Sequence, residues 1–178
     1  ALRERGVEYV EVRLLDLDPF VPVGITAQTM RFIDVFLLHC LLADSPPDTP
    51  QEITELAHNQ HRTAASGREP GLRLERAGRE IPLVDWGAEL LAAFGPIAAA
   101  LDAAHNTTDY SDAVRSAESG LHDPSTLPSA RVLAAMAAEH ENSFVRFVRE
   151  QSLQTQKNLL SLPFTDAQQA YFADLTQK

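Results

Sequence analysis

Cysteine is almost missing from the 178 residues; Cys40 is the only one. A framework of intrachain disulfides is therefore excluded, and the redox compartment is either unconstrained or reducing. Basic residues are also few. Lys and Arg number 15 against 25 Asp and Glu, a formal net charge of -10. That balance argues against a nucleic-acid footprint and against adsorption to anionic lipid. No run of 18 or more apolar residues occurs, and the longest apolar stretch, around Phe36 to Ala43, is interrupted by His39. The sequence thus offers no transmembrane helix. The patterns GxGxxG, GxxxxGK[ST], GxSxG and CxxC do not occur, so nucleotide binding through a glycine-rich phosphate loop is excluded for this segment. The opening residues, ALRERGVEYV, lack the charged-then-apolar order of a secretory signal, and a cytoplasmic location is expected.

What remains is ordinary globular material, 44% hydrophobic and 22% charged, with length enough for one domain and a core. Ala1 to Arg5 reads as the last turn of a helix, with Gly6 just past its end. The far end, Gln177 and Lys178, lies inside a polar helical pattern without a cap. Truncation at both ends is expected from these features.

Val7 to Leu14 (VEYVEVRL) alternates strictly and predicts a strand. Val10, Val12 and Leu14 share one face; Val7, Tyr9, Glu11 and Arg13 share the other. The apolar face is expected to pack on the Met30 to Leu42 helix. Thr26 caps that helix, which runs to about Ala43 and is apolar on nearly all sides, as a buried central helix is. A second helix is expected from about Gln51 to Ala65, followed by a turn at Ser66 to Gly71. Leu72 to Leu74 and Ile81 to Val84 can pair as a hairpin across Arg76 to Arg79. Trp86 to Ala104 reads as a helix with a break at Gly95-Pro96. Asp109 to Gly120 reads as a helix with a C-cap glycine. Further helices are expected at Arg131 to about Ser152 and, capped by Thr165, at Asp166 to Thr176. Helix dominates and does not alternate with strand. The class is α+β, predominantly helical, with few antiparallel strands packed on helices.

Glu11 and Arg13 are the strongest candidates for chemistry. At i and i+2 on one strand they project to one face, about 6–7 Å apart. The carboxylate is a hard oxygen ligand suited to Mg2+, and the guanidinium forms bidentate bonds to phosphate. Together they suit an ATP site. The alternative is a solvated face where the two charges balance each other. His58 and His61 stand three apart on a helix with Glu55 nearby, but nothing completes a zinc set, so they read as surface histidines. Cys40 reads as a small core residue rather than a nucleophile. Arg68 lies in SGREPG, a stretch able to meet an anion or simply to turn the chain. Ser129-Ala130-Arg131 opens a helix and reads as its cap.

The run GVEYVEVRLLDLDPFVPVGI (Gly6 to Ile25) resembles bacterial glutamate–cysteine ligase. So do Arg31-Phe32-Ile33-Asp34 with Phe36, Leu42-Ala43-Asp44-Ser45-Pro46, the Asn59 to Arg62 stretch, Gly67 to Leu72, and Pro128 to Leu133, in that order. After about His140 the resemblance loosens. It implies a glutamine-synthetase-like catalytic domain, of which residues 1–178 would be a C-terminal part. An N-terminal part of the same polypeptide, bearing most metal carboxylates and the glutamate-binding residues, would be missing. The resemblance further implies that Glu11 is a metal ligand for Mg2+ and that Arg13 is catalytic, contacting an ATP phosphate. The implied reaction joins the γ-carboxylate of glutamate to cysteine through an acyl phosphate, the first step of glutathione biosynthesis. Its partners are small molecules: ATP, glutamate and cysteine. The isolated fragment is expected to be inactive. Asn59, Arg62 and Arg68 sit in family-like motifs without an assigned role. A related ligase with another amine acceptor, or a helical scaffold without chemistry, are the competing readings.

Overall fold

A computed structural model describes residues 2–13 and 15–176. Among these residues helix predominates, with one two-stranded antiparallel sheet, in keeping with the α+β class. The chain divides into two compact units. One is Thr26–Phe144; the other joins the segments on either side of it.

In the flanking unit, α1 (Leu2–Arg5) ends at Gly6, whose φ of +74° is the left-handed stop its position predicts. The strand expected next is not formed. Residues 7–13 have no regular structure and join no ladder among the described residues. Val10 and Val12 are 62% and 46% exposed, so their expected burial is not found; Leu14 lies outside the described residues. Alternation supplies strand propensity, but a strand needs a neighbour to satisfy its N–H and C=O groups. The unit continues with α7 (Phe144–Leu160) and α8 (Asp166–Leu175). Thr165 caps α8 in a reciprocal capping box with Gln168.

The central unit is built on three helices, α2 (Ala27–Leu42), α4 (Leu83–His105) and α5 (Asp109–His122). Thr26 caps α2 by accepting from the Thr29 amide at 3.0 Å. Val35, Phe94, Ala98 and Val114 form the buried core, with Phe32, Leu91 and Tyr110 packed around it. Phe32, Val35, Phe36 and His39 of α2 face α4, where the rings of Phe32, Phe36 and His39 approach Phe94. Met30, Phe36, Leu41 and Leu42 are exposed, as is Cys40. The helix is therefore not buried on all sides, and Cys40 is not a core residue. Within this unit α2 packs chiefly on α5 and α4.

Helix α4 runs through Gly95-Pro96 without the expected break. Phe94 and Ala98, both buried, flank the proline; their packing outweighs the one hydrogen bond that proline cannot make. Contrary to the expectation from the sequence, α4 is by length and composition alone apolar enough to cross a membrane, a test that a core helix also passes. Asp102, in its last turn, directs its carboxylate to the start of α5, accepting from the Tyr110 and Ser111 amides at 2.9 and 3.0 Å. Gly120 is not the cap of α5, which continues to His122. It is a packing glycine: a Cβ there would stand 3.1 Å from Leu127 Cδ2.

Helix α3 (Pro50–Ser66) carries the hairpin of β1 (Arg73–Arg76) and β2 (Arg79–Pro82). The strands pair in the register Leu74 with Ile81 and Arg76 with Arg79. Their turn is shorter than expected, since Ala77 and Gly78 both adopt positive φ, 51° and 76°, the two-residue geometry that suits a twisted hairpin. A 3-10 turn (Pro124–Thr126) leads into α6 (Pro128–Glu139). The single helix expected from Arg131 to Ser152 is split into α6 and α7. Glu141 and Asn142 take φ of 51° and 60°, and the Asn142 amide donates to the Met136 carbonyl at 2.8 Å, closing α6.

Candidate functional site

Glu11 and Arg13 do project together. Arg13 Nη2 donates to Glu11 Oε2 at 2.7 Å, with the two side chains 77% and 52% exposed respectively. Nothing in this geometry buries either charge, so both remain open to a ligand. Among the described residues no group of three or more His, Cys, Asp and Glu could hold a metal ion. Glu11 is one hard oxygen donor. That fits an Mg2+ held largely by phosphate oxygens and water with a single protein carboxylate, and does not fit an all-protein cage.

His58 and His61 belong to no metal-ligating group among the described residues. His58 Nδ1 lies 3.2 Å from Glu75 Oε2, while Arg62 Nη2 lies 2.9 Å from the other Glu75 oxygen. Arg62 Nη1 also reaches Glu80 Oε1 at 3.1 Å and the Arg73 carbonyl at 3.2 Å. Asn59 binds Glu75 twice: Nδ2 donates to its carbonyl and Oδ1 accepts from its amide, each at 2.7 Å. Glu55 Oε1 accepts from Gln51 Nε2 at 2.7 Å and from the Gly78 amide at 2.8 Å. These donors, the Gln51 side chain first, hold the Glu55 carboxyl below its ordinary pKa against the opposing effect of burial. Asn59 and Arg62, without a role in the sequence reading, thus clamp the hairpin to α3. The signal was there: Glu55, Asn59 and Arg62 recur at helical spacing as one polar stripe.

Arg68 lines an apolar cavity of about 730 Å³ in the central unit, with Phe32, Phe36, Leu91, Phe94 and Leu121 among its walls. Sequence reasoning missed this cavity, because its walls come from α2, α4, α5 and the Gly67–Leu72 stretch. Ser129 is not a cap: α6 starts at Pro128 behind Leu127, and no side-chain bond caps it.

A family model described as glutamate-cysteine ligase matches residues 1–63, the part that carries Glu11 and Arg13. The glutamate–cysteine ligase of Pseudomonas fluorescens strain Pf-5 is 40% identical over 178 residues, which is 100% of this chain and 33% of the relative. That of Azotobacter vinelandii is 41% identical over 97% of this chain and 32% of the relative. In structure, the chain resembles the crystal structure of glutamate–cysteine ligase from Francisella tularensis in complex with AMP. The TM-score is 0.83 and the identity 32%, over 98% of this chain and 34% of that one. The chain spans about a third of the length of the relatives it matches. Sequence and fold agree: along its whole length the chain resembles about one third of a bacterial glutamate–cysteine ligase.

Proposed function

We propose that residues 1–178 are the C-terminal part of the catalytic domain of an ATP-dependent glutamate–cysteine ligase, cytoplasmic and acting in glutathione biosynthesis. One observation carries this reading: about 40% identity to ligases of that name over the whole chain, including the stretch with Glu11 and Arg13. The AMP bound to the Francisella relative supports nucleotide use.

The chemistry follows from what an amide bond needs. A carboxylate does not react with an amine near neutral pH, because its oxygen leaves poorly. In the proposed reaction a γ-carboxylate oxygen of glutamate attacks the γ-phosphorus of ATP, and ADP departs with the bridging oxygen. The amine of cysteine then attacks the acyl carbon; phosphate leaves with its oxygen, and the amine gives up a proton. Such transfer relies on positioning and charge stabilisation. Arg13 would bind the transferred phosphoryl oxygens through its planar fork. Glu11 would hold Mg2+ and keep Arg13 oriented through their 2.7 Å contact. When bound, Mg2+ supplies neutralising charge to the phosphates. The remaining carboxylates and the glutamate site would come from the other two thirds of the polypeptide.

The test is product formation. The complete ligase polypeptide carrying these residues should convert ATP, glutamate and cysteine to γ-glutamylcysteine, ADP and phosphate, and the 178-residue chain alone should not. Product from another amine in preference to cysteine would reassign the acceptor. No product from any amine would overturn the ligase reading.

A further inference from the structure

We draw no further inference here: the strongest candidate, the apolar cavity of about 730 Å³ walled by α2, α4, α5 and the Gly67–Leu72 stretch of the central unit, lies open in a chain that spans about a third of the length of its relatives, and nothing in the structure shows what covers it.

Discussion

The Asn59 side chain occupies the place of a third strand beside Glu75. Its amide group donates to the Glu75 carbonyl and accepts from the Glu75 amide, both at 2.7 Å, as a neighbouring peptide unit would. A two-stranded hairpin is marginal alone, and here a helix side chain satisfies its outer edge. Asn59→Ala should lower stability by about 1–3 kcal/mol, because two backbone groups lose their partner. Chemical denaturation gives the magnitude. Hydrogen exchange should show the loss first at the Glu75 amide, and unchanged protection there would contradict the clamp.

Acid should loosen the central unit at two carboxylates. For Asp102, burial alone would raise the pKa. The Ser111 side chain, the Tyr110 and Ser111 amides and the Arg115 charge outweigh it and bring the pKa below its ordinary value. Glu55 is lowered too, by Gln51 first and the Gly78 amide next. Groups with folded pKa below unfolded pKa bind fewer protons when folded. Their stabilisation is complete above the ordinary carboxylate range, about pH 4, and is lost as pH falls through the lower folded values. Tm should therefore drop on acidification below about pH 4, and Asp102→Asn should flatten that drop. Identical acid limbs in wild type and Asp102→Asn would contradict the assignment.

Two glycines of α4 should respond differently to alanine. A Cβ on Gly95 meets nothing within 4 Å beyond its chain neighbours, but Pro96 follows directly and disfavours a Cβ in the helical region before it, so Gly95→Ala should gain less than the about 0.5–1 kcal/mol of helix propensity. A Cβ on Gly87 would stand 2.8 and 2.9 Å from the two Leu121 methyl carbons. Gly87→Ala should gain less or destabilise, since Leu121 must move within the cavity wall. Thermal melts of the two variants decide it; equal gains would show that Leu121 yields freely.

Much of the helical frame was legible because caps and periodicity are local. Thr26 and Thr165 accept from the amides their positions dictate, and α3, α5 and α8 fall within a few residues of their expected spans. The failures share a different cause. Residues 7–13 have strand chemistry without a strand partner among the described residues, and no local pattern reports a missing neighbour. Met30 and Cys40 are exposed although α2 is apolar on nearly all sides, for the same reason. Pro96 is carried by the packing of Phe94 and Ala98, which is tertiary information. For the candidate site, the spacing placed Glu11 and Arg13 side by side, but the Asn59 clamp on the hairpin could not be read without the fold.

The most direct measurement of the central claim is the steady-state kinetics of Arg13→Ala and Arg13→Lys in the complete ligase, with Tm recorded alongside. If Arg13 binds the phosphoryl group in the transition state, kcat/KM should fall roughly 10²-fold or more in Arg13→Ala. Arg13→Lys should recover only part of it, because the ammonium keeps the charge and loses the fork. Tm should hardly change, since the side chain is 77% exposed. The contrary case is a surface ion pair with Glu11 worth about 0–1 kcal/mol. An Arg13→Ala enzyme that turns over within a few-fold of wild type at unchanged Tm would establish that case and remove Arg13 from the reaction.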